Sequence, residues 1–551
     1  MKRTPEQVIK RFDTLKQGRG VWETHWQEVL DYTLPNVQDV LRKKTEGSKK
    51  GQMLFDNTAT VACEMLAAAL HGMLTNPNTQ WFELMTRDNE INKNDDVRAY
   101  LQDLTETAHR ILNNSNFQTE IHQFYLDLCT IGTAIMTIEP NDENIIHFST
   151  KHISDCVMAE NHLGKVEDVG RCFKWEAQQI LQEFTKDAFG KAQDVDALIK
   201  SNEKELITKF SEDVIKAYKN QRADKFELIH SVYKEKLLAD AGKPFLSQYV
   251  LKSKNEPKEL RVNGYRRFPY LVSRWTKMSG ETYGRSPAMS ALPEAKTVNQ
   301  MMKAVIKAAQ KVVDPPTQGP DDGFLRPLKT APGSHHYYRA GTPDRIEAIF
   351  KDINPRIGFE LIRDRQAQIK AAFFVDKLNL PLGDRATTVE VHQRIEEQLR
   401  FMAPMLGRQY FEVLIPLIEN LMDVMVDADA GSGEILGQIP PEIQDVSLSV
   451  QYTSPIARAQ LVTQGQSMVR ALEASAPFIN IDQASSDVID SVEAIRQNWK
   501  IYGAPQRVLK TTKELRAAQD ARAEAQAELV QQQKEMATAE TVSKIAPVMQ
   551  G

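Results

Sequence analysis

Residues 280–316, GETYGRSPAMSALPEAKTVNQMMKAVIKAAQKVVDPP, constrain the architecture more than any other stretch of the chain. Tyr283-Gly284-Arg285-Ser286-Pro287 is a turn that launches a helix. Ser286 is placed to cap the free amides of the first turn, and Pro287 is pre-set for the first helical position. Pro315-Pro316 then stops the helix, because proline cannot continue it. Residues 286–313 therefore read as one helix, about 42 Å long at 1.5 Å per residue. At about 100° per residue, Lys296, Lys303, Lys307 and Lys311 fall within roughly 80° of one another, with Val298, Met301, Val305, Ala308, Ala309 and Val312 opposite. This pattern suits a solvated charged face, a face that meets phosphates, or a face that meets an acidic neighbouring helix. The sequence does not separate these.

The chain has 551 residues, too many for one core and enough for about three or four domains. Hydrophobic residues make up 41% and charged residues 26%, ordinary for a soluble globular protein. A net charge of −5 argues against bulk attraction to nucleic acid or to an anionic membrane. The start, Met1-Lys-Arg-Thr-Pro, is basic, but no apolar stretch follows, so no secretory leader is expected. The longest apolar stretch, 60–74, is interrupted by Glu64 and His71 and is too short to span a bilayer. Cys63, Cys129, Cys156 and Cys172 have no metal or redox spacing and read as reduced, mostly buried thiols in a cytosolic setting.

Residues 1–34 read as helix, with Trp22, Trp26, Val29, Leu30 and Thr33 on one face before Pro35. A helix within 54–84 is expected to start at Asn57 or Thr58 and to end at Gly72, before a turn at Asn76-Pro77. Two more helices fit 97–136, and 176–220 is helical and charged. Strands are expected at 134–140, at 156–175 with a turn at Gly164, at 226–236 and at 266–278. The fold class is α+β, mostly α, with an antiparallel sheet among helices.

Beyond the long helix, residues 314–355 hold seven of the 25 prolines, and 327–341 suit a hairpin. Helix resumes with Asn354 as cap and Pro355 in first position, running to about Val375. A loop, 376–387, follows. Thr387 and Glu390 form a capping box opening a helix that reaches Ala428, with kinks or breaks at Pro404 and Pro416. Residues 429–455 are a connector containing the strand VSLSVQYT, and helices fill 456–500. The segment 505–545 has good helix propensity but few large apolar groups. It reads either as a fraying tail or as one stave in a barrel of like helices from several subunits.

Catalytic signatures are missing from the sequence. No G-x-x-x-x-G-K-[ST], H-E-x-x-H, zinc-type Cys/His set or G-x-S-x-G occurs. DADAGSGE (427–434) lacks the third ligand and the terminal Glu of a calcium loop and reads as a solvated turn. His335-His336, followed by Tyr337-Tyr338, would point to opposite faces of a strand, which suits an interface better than a metal. Neither a cofactor, a metal nor an enzymatic activity is expected.

Several segments taken together resemble the portal, or head-to-tail connector, proteins of short-tailed double-stranded DNA phages. They are WETHWQEVLDYTLP (22–35), LFDNTATVACEMLAAALHGMLTNPNTQWFEL (54–84), GETYGRSPAMSALPEAKTVNQMMKA (280–304), ATTVEVHQRIEEQLRFMAPMLGRQYFEVLIPLI (386–418) and VQYTSPIARAQ (450–460). RATTVEV (385–391) departs from the usual Thr-Ala-Thr-Glu-Val run. The resemblance implies a ring of twelve subunits at one capsid vertex, through whose channel double-stranded DNA passes without sequence specificity. It implies a wing (1–285), a first stem helix (286–313), a clip (314–354) and a second stem helix (355–375). A channel loop (376–386), a kinked channel helix (387–428), a connector (429–455) and a crown with a C-terminal helical barrel segment (456–551) would follow. Implied partners are a terminase packaging motor, tail adaptors, and capsid, scaffolding or internal core proteins, with no membrane. Lys377, Arg385, Lys296, Lys303, Lys307 and Lys311 are the candidates for contact with DNA. Phe324, Arg326, His335, His336, Tyr337 and Tyr338 are those for docking at the clip. The competing readings are a DNA-processing enzyme of packaging and a coiled-coil interaction scaffold.

Overall fold

The computed structural model describes residues 2–36, 39–42, 47–88, 90–141, 143–189, 204–235, 242–253, 256–313, 317–318, 347–348, 356–378, 404, 406–429, 433, 435–443, 446, 448–452, 465, 467–475, 477, 489–501, 508–509 and 512–545. They form two compact units, one from 1–77 and 111–428 and the other from 78–110 and 429–551. The architecture is α+β with helix predominating.

In the first unit, β4 (Cys156–Glu160), β5 (Val166–Glu176), β6 (Lys225–Lys234), β7 (Phe245–Leu251) and β8 (Lys258–Tyr265) form a five-stranded antiparallel meander. Side chains alternate across a sheet, so it has two faces to cover. One face packs Phe173, Leu228, Leu251 and Leu260 against Ile180, Leu181 and Phe184 of α6 (Ala177–Phe189), against Phe210, and against Val214 of α7 (Glu212–Lys219). The other packs Val157, Ile229 and Val250 against Val8 and Phe12 of α1 (Pro5–Gln17). Phe12 fits because position 170 is glycine: a Cβ there would lie 3.0 Å from the Phe12 ring.

A second sheet has the order β3 (Ile145–Lys151), β2 (Thr133–Asn141), β9 (Tyr270–Arg274). His230 ties the two sheets together. Its Nε2 lies 2.8 Å from the Ser247 hydroxyl, its Nδ1 lies 2.8 Å from the Tyr270 hydroxyl, and its ring stacks on Tyr249 at 4.0 Å. Burial pushes this imidazole down to about 3, so it stays neutral.

The structure departs from the sequence reading at several points. Residues 1–34 form two helices, α1 and α2 (Gly20–Thr33), rather than one. Gly18 caps the first, and Arg19 turns inward to 1% exposure. Its guanidinium donates to the carbonyls of Ile153 and Ser154, each at 2.9 Å, to that of Cys156, and to Glu23 at 2.8 Å. A buried guanidinium has five donors to satisfy, and breaking the helix aims them at the backbone carbonyls of residues 153–156. α3 (Thr58–Leu74) continues through Gly72, and the expected strand 266–278 is confined to β9. Strands β3, β7 and β8 occur where no strand was expected. The two helices of 97–136 are α4 (Asp95–Asn114) and α5 (Phe117–Thr130).

The break expected at Pro416 takes the form of a wide π turn, Tyr410–Leu414, ahead of the helix Ile415–Asp429. Proline has no N–H to return to the preceding turn, and one wider turn accommodates that loss. The turn aims Glu412 at Arg274, which is buried at the end of β9. Glu412 accepts from the Arg274 guanidinium at 2.7 Å and from its backbone N–H at 2.8 Å. Glu160 takes the other side of the guanidinium and also pairs with Lys277 at 2.7 Å. The capping box Thr387/Glu390, the cap Asn354 and the hairpin 327–341 lie outside the described residues.

In the second unit, β1 (Phe82–Thr86) pairs antiparallel with β12 (Leu448–Tyr452), the strand expected in the connector. Buried Phe82 stacks on His109 at 4.0 Å, with Trp81 edge-on to both. Thr512–Ile545 is one helix whose described side chains are almost all exposed. No helix among the described residues is long and apolar enough to cross a membrane. All four cysteines are free thiols, and Cys63, Cys129 and Cys156 are buried.

Asp127, on α5, is 3% exposed, and the Gln123 amide donates to it at 3.1 Å. Burial raises its carboxyl from 3.8 to about 7. The folded state therefore holds this proton more tightly than the unfolded chain. Its stabilising contribution is complete below about pH 4 and is lost as pH rises to about 7. Asp127→Asn should abolish that slope and raise stability at pH 8 by about 3–4 kcal/mol. Thermal melts of both proteins from pH 5 to 8 test this, and parallel pH dependences would contradict it.

Candidate nucleic-acid interface

The lysine-bearing segment is the helix α8 (Pro287–Val313), and it packs against the helix that returns, α9 (Arg356–Ala372). The two run antiparallel. Gly358 meets Val305, where a Cβ on the glycine would come within 3.0 Å of the valine side chain, and Arg365 pairs with Glu294 at 3.1 Å. Ile362 and Ile369 are buried on the inward face of α9.

The base of this hairpin is fixed by backbone chemistry. The Ser286 hydroxyl accepts from the Met289 N–H at 3.0 Å, capping α8, and donates to the Thr130 carbonyl at the end of α5 at 2.7 Å. Pro287 occupies the first helical position. Arg285 exchanges backbone hydrogen bonds with Thr276, and the Gly284 N–H donates to the Thr133 hydroxyl at 2.8 Å. Gly132 and Gly284 cross in direct contact. A Cβ on Gly284 would lie 2.2 Å from the Gly132 carbonyl oxygen, and one on Gly132 would lie 2.7 Å from the backbone of 284–286. Gly132 also has φ +85°, a region that side chains disfavour. Tyr283 packs edge-on to Trp26 at 5.0 Å, while Arg285 lies over Trp22 at 5.1 Å and pairs with Glu281 at 2.5 Å.

The structure distinguishes among the four lysines of α8. Lys296 pairs with Glu28 of α2, and its ammonium lies 5.9 Å from the centre of the Tyr32 ring. Lys303 lies 5.6 Å from the centre of the Phe55 ring. Lys307 and Lys311 stand further out and are exposed. Lys377 is exposed in a short helical turn, Val375–Leu378, so the first residues of the expected loop 376–386 are helical. The reason lies one residue earlier: Phe374 adopts φ 60°, which ends α9 and allows a new turn to start. Arg385, Phe324, Arg326, His335, His336, Tyr337 and Tyr338 lie outside the described residues. The strands β10 (Thr317–Gln318) and β11 (Glu347–Ala348) pair antiparallel on either side of most of that segment.

Sequence reasoning missed the clamp on the hairpin. Asn299, 7% exposed on α8, accepts from the Phe55 N–H at 2.6 Å and donates to the Met53 carbonyl at 2.9 Å. Gln366 of α9 donates to Asp56 at 2.7 Å. One short segment, 53–56, thus holds both helices. An asparagine beside Val298 on an otherwise apolar helix face was the available signal. Among the described residues, no group of three or more His, Cys, Asp or Glu is arranged to hold a metal. The arrangement is mechanical: two stiff helices with their roots locked into sheet, turn and neighbouring helices.

Gly284→Ala forces backbone out of the way and should cost about 3 kcal/mol or more. Ser286→Ala loses only a cap and one hydrogen bond and should cost about 1–2 kcal/mol. Chemical denaturation of the two variants tests the ranking, and equal losses would contradict the backbone crossing as the dominant constraint.

Comparison with known proteins agrees with this mechanical arrangement. The family model described as bacteriophage head to tail connecting protein matches residues 5–509. The probable portal protein of Bordetella phage BPP-1 is 30% identical over 463 residues, covering 82% of this chain and 79% of that protein. The portal protein of Salmonella phage epsilon15 is 24% identical, covering 95% and 93%. That of Escherichia phage T7 is 20% identical, covering 85% and 82%. The chain belongs to the bacteriophage head to tail connecting protein family.

Proposed function

We propose that this chain assembles into a ring at one capsid vertex and serves as the conduit through which phage DNA enters and leaves. Membership of the connector family across residues 5–509 carries this reading, and it makes the protein a structural connector rather than an enzyme. The hairpin α8–α9 suits a stem, because its length and root are both fixed. Residues 1–285 are then most of the wing, and 314–354 a clip that docks first a packaging motor and later tail components. Residues 456–551 form a crown facing capsid proteins and internal core or scaffolding proteins. The exposed helix Thr512–Ile545 suits a barrel stave better than a solitary tail, since alone it covers almost nothing.

A conduit must not grip its cargo. Each phosphate captured by Lys or Arg releases counterions, so many simultaneous captures give tight, salt-dependent binding. A net charge of −5 per subunit opposes such adhesion, leaving sparse basic groups for transient contact. Lys377 and Arg385, in the segment between the return helix and the kinked helix, take that role in this reading.

Electron microscopy of the purified protein should show rings with a central opening. A persistent monomer with divalent-dependent nuclease activity would support a processing enzyme instead, and a rod would support a coiled-coil scaffold. Reversing the charge of Lys377 or Arg385 should reduce DNA packaging or genome retention by about tenfold while leaving rings intact. Unaltered packaging in both variants would remove these two residues from the channel.

A further inference from the structure

The hairpin carries opposite charge on its two outer flanks, and the flanks match in height. On α8, Val305 marks the side facing α9, through its contact with Gly358. At about 100° per residue, Lys303 and Lys307 lie roughly 160–200° around from Val305, on the flank turned away from α9. From Ala295 to Val313 this helix contains four lysines and no acidic residue. On α9, Gly358, Ile362 and Ile369 mark the inward side. Glu360 and Asp364 lie on the opposite flank, and both are exposed. Neither has an ion-pair partner among the described residues.

Height follows from the register. Val305 is level with Gly358, where the two helices touch. Because the helices are antiparallel, two residues back from Val305 and two forward from Gly358 reach the same level. Lys303 and Glu360 therefore stand at equal height on opposite flanks. Lys307 is about 6 Å further out, within the reach of a lysine side chain. Nearer the base, the lysine flank is already covered: Lys296 is paired with Glu28 of its own chain.

Rotation about a ring axis preserves height along that axis, and a head-to-tail ring joins two different flanks of adjacent copies. We propose that the lysine flank of α8 meets the acidic flank of α9 on the neighbouring copy, with Lys303 opposite Glu360 and Lys307 reinforcing the pair. The inference rests on the ring reading above and specifies its partner surface, a second copy of this chain. It also decides between the uses the sequence left open for the lysine face. The distal lysines meet an acidic helix, and DNA contact is left to other residues.

Two measurements on the full-length protein test the contact. First, zero-length carbodiimide crosslinking of unmodified protein, read by mass spectrometry, should join Lys303 or Lys307 to Glu360 in the assembled fraction only. Within one chain these residues face apart, so such a product must link two copies. Second, Lys303→Glu and Glu360→Lys should each raise the concentration needed for half-assembly, read by mass photometry, by about tenfold. The double reversal should recover to within about threefold of the unmodified protein. Both residues are exposed, so melts of the dissociated variants should match the parent. Rings that form equally well in both single variants and yield no crosslink would overturn the contact and leave the ring reading standing. Loss of DNA binding in Lys303→Glu with rings intact would also overturn it, in favour of a phosphate-facing flank. An unmodified protein that never assembles would overturn the ring reading and this contact together.

Discussion

The backbone crossing of Gly132 and Gly284 is the constraint on which the hairpin depends. It brings the end of α5, the start of β2, the end of β9 and the start of α8 to one point, with no side chain between them. Three kinds of bonding converge there: the Ser286 cap, the Arg285–Thr276 backbone pair and the Gly284–Thr133 hydrogen bond. None is large alone, since a net hydrogen bond contributes about 1 kcal/mol. Their effect is geometric, because each fixes a different degree of freedom at the root of a helix of 27 residues. A small angular error at the root would be magnified along that length. The second clamp, Asn299 and Gln366 on the segment 53–56, acts part-way along the hairpin, where leverage is greater.

A parallel logic governs the kinked helix. Arg274 is buried at the end of β9 between Glu160 and Glu412, and removing either acid would leave a buried charge incompletely paired. Glu412 reaches it from the π turn ahead of Pro416. The proline that disturbs the helix thus coincides with the place where the helix is bolted to the sheet. One residue before Glu412, Phe411 is 70% exposed, an apolar ring that the isolated chain does not cover.

How much of this was legible in the sequence depends on whether the signal was local. The Ser286-Pro287 start and the Pro315-Pro316 stop are properties of neighbouring residues, and α8 spans that interval. The disturbance at Pro416 follows from a missing N–H and was equally readable. Strands β3, β7 and β8 were not, because a short strand is fixed by pairing, here with the neighbouring strands of hairpins, more than by a pattern of its own. The pairing of β1 with β12, more than three hundred residues apart in the chain, left no local trace. Gly132 looked like any glycine after a helix; only the approach of residues 284–286 gives it meaning. The lysine wheel was correct as geometry, yet it treated four lysines as equivalent. Their different partners come from α2 and the segment 53–56, which meet α8 only in the folded chain.

Those partners bear on how a conduit for DNA avoids becoming a trap. A lysine already paired with a carboxylate has less to gain from a phosphate, since the first partner must be released before the second is engaged. Lys296 is held by Glu28, and Lys303 lies against an aromatic ring in its own chain. Repeated around a ring, free lysines at these positions would line up into a continuous basic band, and the counterions released on contact would hold DNA fast. Placing Lys296 in a contact within the chain, and Lys303 and Lys307 in the proposed contact between copies, would keep the stiffness of a long, lysine-bearing helix while suppressing the adhesive field it would otherwise create. On the proposed ring reading, charge on this hairpin holds the chain and its neighbours together rather than offering a surface to nucleic acid.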